Sequence, residues 1–404
     1  MTTIEDKYKA LATDNAPGQE TRQKTGNIEA LMRGDVMAGT PVDFSHGDVD
    51  AFAPTPGSFE AFSAGVEVGG KQAYTEYRGA LDIRTELAAK LEAFTGAPVS
   101  ADDGLIVTTG TQGALFLAVA ATVTDGDKVA IVQPDYFANR KLVQFFGGEI
   151  APVQLNYINN DQNAGLNLGE LRGAFEAGAK VFLYSNPNNP TGAVYAAEEI
   201  DEIAALAAEF DATVIVDQLY SRLLYEGVPY VHFRAVSDRS DNIVTIMGPS
   251  KTESLSGYRL GVAFGAPKLI ERMEKLQAIV SLRAAGYNQS VLRTWFNEPD
   301  GWMAERVALH QAIRDDLIRV FHGAGFETRV PQAGSYLFPK LPALGVDVHD
   351  FVRLLRLQAG VIVTPGTEFS PHTEASVRLN FSQDHTAAVA AAERIVAITH
   401  RYKA

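Results

Sequence analysis

The chain contains no cysteine, which excludes disulfides, cysteine-ligated metals and thiol nucleophiles. It is also short of positive charge: 35 lysines and arginines stand against 49 aspartates and glutamates, a formal net charge of −14. Binding a phosphate backbone requires basic surface, so nucleic acid is not an expected partner. No apolar run approaches the length of a bilayer-spanning helix, so no membrane association is expected. The opening MTTIEDKYKALATD lacks the apolar core of a secretory signal, and the expected location is the cytoplasm. Internal repeats and low-complexity segments are absent as well.

What is present is a chain of 404 residues, 46% apolar and 21% charged, long enough for a large core and two lobes. Residues 1–45 are polar and weakly periodic and read as an N-terminal arm packing with a small C-terminal domain. From about residue 100, short apolar runs alternate with amphipathic helical stretches. The runs are LIVTT (105–109), KVAIVQP (128–134), KVFLYSNP (180–187), TVIVDQLY (213–220), NIVTIMG (242–248) and LGVAFG (260–265). Continuous rather than alternating apolar character marks parallel strands covered on both faces. The expected class is α/β, with a mostly parallel sheet flanked by helices in a large domain over 46–297. The Pro/Gly break NEPDG (297–301) precedes a smaller α+β domain over 298–404.

Open α/β sheets bind ligands beyond the carboxyl ends of their strands, and five of these ends carry polar or aromatic chemistry. Gly110, Thr111 and Gln112 open a helix whose free N–H groups suit a phosphate, although Gly-Thr at a helix start also serves as a plain cap. Ser250 and Arg259 offer a hydroxyl and a guanidinium to the same group. Asp217 ends an apolar strand, either as a structural carboxylate or as the partner of a protonated ring nitrogen. Such a pairing at about 3 Å and an effective dielectric of ~20 is worth about 5 kcal/mol. Tyr220 could bond a phenolate oxygen on that ring, and Tyr136 could stack on its face or belong to the core. In this company Lys251 acquires a role, forming a Schiff base with an aldehyde. Pyridoxal 5′-phosphate matches all these contacts.

These motifs resemble the class I/II aminotransferases of the fold-type I pyridoxal-phosphate enzymes, from about Ser45 to Arg378. The most specific pieces are NPNNPTG (186–192), DQLY (217–220), and Ser250-Lys251 with Arg259 eight residues after the lysine; YTEYRGALDIR (74–84) is a further match. The resemblance implies that Lys251 is the Schiff-base lysine and proton shuttle. Asp217 then pairs with the pyridine nitrogen, Tyr220 and Asn189 with the phenolic oxygen, and Tyr136 stacks. Thr111, Gln112, Ser250 and Arg259 take the phosphate, and Tyr74 reaches the phosphate of a neighbouring subunit, which implies a homodimer with shared sites. Arg378 clamps the substrate α-carboxylate, assisted by Asn189 and the Gly47 backbone. Two segments depart from the family pattern: GPSK (248–251) replaces Ser-x-Ser-Lys, and HGDVDAF (46–52) replaces a Gly-Glu-Pro form.

The implied reaction is transfer of an amino group between an L-amino acid and a 2-oxo acid. Arg283, in SLRAAGYNQS (281–290), lies where aspartate aminotransferases place an arginine that crosses the dimer interface to a side-chain carboxylate; it is equally readable as an exposed helix arginine. Aspartate with 2-oxoglutarate is the expected pair. The alternatives are a broad-specificity aromatic or aliphatic transaminase, and a lyase or amino-acid oxidase on the same cofactor frame. A transcription regulator built on this fold would need a DNA-binding segment, and residues 1–45 show no helix-turn-helix. His46 carries no assignment, and His385 reads as a cap or surface residue.

Overall fold

The computed structural model describes residues 3–13, 16–19, 28–159, 161, 163–237 and 240–404. Its strands, in chain order, are β1 (Val42–Asp43), β2 (Leu105–Thr109), β3 (Lys128–Gln133), β4 (Glu149–Gln154), β5 (Val181–Ser185), β6 (Thr213–Asp217), β7 (Ile243–Met247), β8 (Leu260–Gly265), β9 (Tyr336–Leu337), β10 (Val361–Ile362), β11 (Thr364–Pro365) and β12 (Val377–Asn380). Seven of them form one sheet in the order β2-β8-β7-β6-β5-β3-β4. Helices cover both faces, giving the expected α/β class.

The continuous apolar runs have a direct cause. Successive residues of a strand point to opposite faces, and here each face has its own core. Ala130, Val132, Phe182, Tyr184, Val214 and Val216 enter one cluster, while Val129, Ile131, Val181, Leu183 and Ile215 enter the other. Two features differ from expectation. β8 runs antiparallel to both β2 and β7, because burial on both faces produces the same apolar run whichever way a strand points. β4 was not among the expected runs; it holds Pro152 and lies at the sheet edge, where a missing N–H is tolerated.

Beyond the sheet, the helix Trp302–Gly323 leads to a three-stranded sheet in the order β11-β12-β9, and the helices Val348–Ala359 and His385–Arg401 complete that region. Asp347 and Asp384 cap these last two by accepting bonds from His349 and Ala387 N–H groups. Next to its cap, His385 pairs with Asp316 at 2.8 Å. Ile28, Val42, Phe44 and Phe52 share a core with Leu317, Phe351 and Ile395, and β1 pairs with β10. The helix Ile4–Leu11 packs instead on the helix Phe137–Phe145, with Lys7 over the Phe145 ring and the Lys141 ammonium bonded to the Ala12 carbonyl. No described helix is long and apolar enough to cross a membrane.

The helix Gly110–Thr122 is apolar on most of its surface because it lies between the sheet and the helix Pro267–Val280. Its first turn sits directly on β8 at Gly261, where any Cβ would enter the backbone of Gly110 and Thr111. Gly110 itself has φ +71° and meets the Arg259 guanidinium. Gly261→Ala should therefore cost about 1–3 kcal/mol by overpacking. Urea denaturation should show a lower midpoint with an unchanged slope; an unchanged midpoint would mean that the helix shifts freely.

Candidate active site

A cavity of about 260 Å³ opens at the carboxyl ends of β5, β6 and β7. Lys251, Asp217, Tyr220, Tyr136, Asn189, Thr111, Gln112, Ser250, Arg259 and Arg378 all line it. These residues come from separate strand ends, and the sheet register accounts for their meeting: Ser185 of β5 stands opposite Asp217 of β6, and Asp217 opposite Ile246 of β7.

At one end the helix Gly110–Thr122 presents its first turn without a side-chain cap. Unsatisfied N–H groups and the helix dipole make this an anion site. Ser250 is buried beside it. Arg259 is held in the left-handed region, φ +54°, a conformation costing of order 1–2 kcal/mol for a non-glycine residue; it points its guanidinium at Gly110.

Deeper in, Asp217 is buried and accepts one bond, from the Leu219 N–H at 2.9 Å. Burial raises its carboxyl to about 6, against that bond, which lowers it. A desolvated carboxylate of this kind gains most from a cationic N–H partner. The Tyr136 hydroxyl donates to Gln112 at 2.9 Å, fixing the ring at the cavity wall.

Arg378, from β12, is 2% exposed. It donates to Asn189 Oδ1 at 3.3 Å and to the Ser45 carbonyl at 3.0 Å. Its guanidinium lies over the rings of Tyr336 and Phe369, at 4.4 and 4.8 Å, and its Nε finds no partner. Among the described residues no carboxylate is hydrogen-bonded to this cation, an arrangement suited to a carboxylate ligand.

Several contributors carried no expected role. The Tyr220 hydroxyl donates to Tyr336 at 2.6 Å. Burial alone would raise the Tyr336 phenol, but the Lys251 and Arg378 charges and the Tyr220 bond outweigh it and lower it. Asp135, 1% exposed, accepts from the Ser185 hydroxyl at 2.5 Å and N–H at 2.9 Å, and Ser185 Oγ in turn accepts from the Asn189 N–H at 3.1 Å. Burial pushes Asp135 to about 7. Pro17, Gly18, Ser45 and His46 bring the N-terminal segment to the cavity. Only Asp135, at a strand end, carried a positional signal; a tyrosine opening a two-residue strand and a histidine in a loop carry none.

Four expected site residues lie outside the lining. Gly110 is adjacent, beneath Arg259. The Gly47 carbonyl faces His46 Nδ1 at 3.1 Å, while Ser45 supplies the backbone oxygen on Arg378. Tyr74, 80% exposed, lines a separate surface hollow, and the Arg283 guanidinium sits 5.4 Å from both the Tyr74 and Tyr77 rings.

A profile of the aminotransferase class I and II family matches residues 43–395. The chain belongs to that family and is a pyridoxal-phosphate-dependent transaminase. Among solved structures it is similar to an aspartate aminotransferase from Rhodobacter sphaeroides 2.4.1, at 67% identity, full coverage of both chains and a TM-score of 0.95. Among curated relatives it is 26% identical to an aspartate aminotransferase of Musicola paradisiaca, covering 100% of this chain and 98% of that one. It is also 26% identical to an aromatic-amino-acid aminotransferase of Thermococcus litoralis, over 76% and 79% of the two chains.

The raised Asp217 carboxyl has a consequence in the cofactor-free protein. Between its ordinary value of 3.8 and about 6, the folded state holds a proton that the unfolded state has released. Its contribution is therefore present below pH 3.8 and lost as pH rises through 6, an amount on the order of 3 kcal/mol. Denaturation across pH 4–7 should show wild type losing stability relative to Asp217→Asn as pH rises; parallel profiles would mean the carboxyl is not desolvated.

Proposed function

We propose that the protein transfers the amino group of L-aspartate to 2-oxoglutarate. The observation that carries transamination is the buried, carboxylate-free Arg378 guanidinium facing Lys251 and Asp217 across one cavity. The 67% identical aspartate aminotransferase supports the choice of aspartate. The aromatic aminotransferase among the relatives makes aromatic amino acids the second reading.

The donor set fits pyridoxal phosphate. The uncapped helix turn at Thr111 and Gln112, with Ser250 and Arg259, would hold its phosphate; Asp217 would hold the ring nitrogen, Tyr220 and Asn189 the phenolic oxygen, and Tyr136 the ring face. Bound there, the cofactor supplies an aldehyde that captures amines and a ring that takes up the electrons left when an α-proton departs. Lys251 would hold the cofactor through its Nζ, and the same Nζ, once free, would take the substrate α-proton and hand it on. Arg378 orients the substrate by its α-carboxylate, so that the α-hydrogen faces Lys251. Asp217, ionised, would favour a proton on the ring nitrogen beside it.

We also propose that two copies pair through the face carrying Tyr74 and Arg283, so that Tyr74 completes the partner's phosphate site. That face exposes Val66, Val68, Tyr77, Leu81, Ile279 and Leu282.

The test is a half-reaction spectrum of the purified holoenzyme. L-Aspartate should bleach the visible cofactor band and 2-oxoglutarate should restore it, while Lys251→Ala should give no conversion. A band that ignores aspartate but responds to phenylalanine would replace the aspartate reading by the aromatic one. Arg378→Ala should weaken every amino acid and oxo acid by about 2–5 kcal/mol in kcat/KM; an unchanged kcat/KM would remove Arg378 from substrate binding.

A further inference from the structure

We propose that Tyr336 is a positioning residue that acts through Tyr220: it draws the Tyr220 hydroxyl away from the cofactor's phenolic oxygen and so keeps the Schiff base at Lys251 protonated to higher pH. This rests on the cofactor placement given above. A phenol carries a single proton, and the Tyr220 hydroxyl donates its own to the Tyr336 oxygen at 2.6 Å. A Tyr220 that also serves the phenolic oxygen of the cofactor therefore has two acceptors competing for one proton. The contact is set by the fold. Tyr336 lies on β9 opposite Asn380 of β12, the strand that carries Arg378, and the Arg378 guanidinium lies 4.4 Å from the Tyr336 ring. Tyr220 rests on Gly334, where a Cβ would stand 3.3 Å from its ring carbons, and the Tyr225 hydroxyl holds the Gly334 carbonyl. The rings of Tyr220 and Tyr336 meet edge to face, centroids 5.2 Å apart, and both are buried.

The surrounding charges decide which oxygen gives and which receives. Burial, the Tyr336 charge and the Tyr336 bond raise the Tyr220 phenol and outweigh the Arg378 charge. Burial opposes the change at Tyr336, but the Lys251 and Arg378 charges and the Tyr220 bond lower that phenol. Asp217 pushes both upward, and Tyr136 is a further ionisable group within reach of Tyr336. The proton accordingly stays on Tyr220 and points at Tyr336. A hydrogen bond to the charged form of a group favours that form. The less Tyr220 gives to the phenolic oxygen, the less that oxygen is stabilised as an anion, and the more firmly the adjoining Schiff base holds its proton. Protonated, the Schiff base is the better electrophile for an incoming amine.

The experiment is a spectrophotometric pH titration of the holoenzyme's visible band in wild type, Tyr336→Phe, Tyr220→Phe and the double variant. Tyr336→Phe keeps the ring beneath Arg378 and removes only the competing oxygen, so the midpoint should fall by about one pH unit. Tyr220→Phe removes the donor itself and should raise the midpoint. The double variant should titrate like Tyr220→Phe alone, because without the Tyr220 proton Tyr336 has nothing to draw away. An unmoved or raised midpoint in Tyr336→Phe, with Tyr220→Phe raised, would overturn the proposal and leave the cofactor placement intact. Shifts that add in the double variant would overturn the claim that Tyr336 works through Tyr220. A Tyr220→Phe midpoint equal to that of wild type would instead bring down the assignment of Tyr220 to the phenolic oxygen, and the role of Tyr336 with it.

Discussion

A guanidinium that water barely reaches, bonded among the described residues to neutral oxygens, is the constraint around which this molecule is arranged. Arg378 joins three separate pieces of chain: Asn189 from the turn after β5, Ser45 from the segment after β1, and its own strand β12. Removing such a charge from water costs several kcal/mol. Two neutral acceptors and the faces of Tyr336 and Phe369 offset part of that cost. An anion bound there would recover the remainder and stabilise the folded state by mass action.

Opposite this cation, the sheet ends supply the converse. Asp217 is a carboxylate short of donors, and the Tyr220 hydroxyl donates to Tyr336 in the field of Lys251 and Arg378. Groups whose environments drive their proton affinities apart are what acid–base chemistry at neutral pH requires. Asp135 adds a layer behind them: it holds Ser185, and Ser185 holds the Asn189 backbone. The residue that meets Arg378 is therefore braced by a carboxylate that never reaches the cavity.

Much of this was legible because buried parallel strands announce themselves as continuous apolar runs, and ligands gather at their ends. That logic singled out Asp217, Asn189, Lys251 and the Gly110 turn, and the fold gathers the first three at one cavity with the turn beside it. It could not give the direction of β8, since burial on both faces erases the alternation that would distinguish neighbours. It passed over β4, whose Glu149 and Pro152 are tolerated only at an edge. Tyr336 and Phe369 were invisible for another reason: they reach the site from short strands and turns of the C-terminal region, where no period of two or 3.6 can develop. His46 was passed over because a histidine in a loop gives no sign that the fold will bring it to the cavity wall beside Asp43.

The most direct test of the account is a crystal structure of the holoenzyme with maleate. The account predicts one carboxylate of maleate on the Arg378 guanidinium, the phosphate on the first turn of the helix Gly110–Thr122 between Ser250 and Arg259, and Asp217 within hydrogen-bond distance of the ring nitrogen. Maleate bound elsewhere while Arg378 keeps only Asn189 and Ser45 would contradict the claim that the buried charge is held in readiness for a substrate carboxylate.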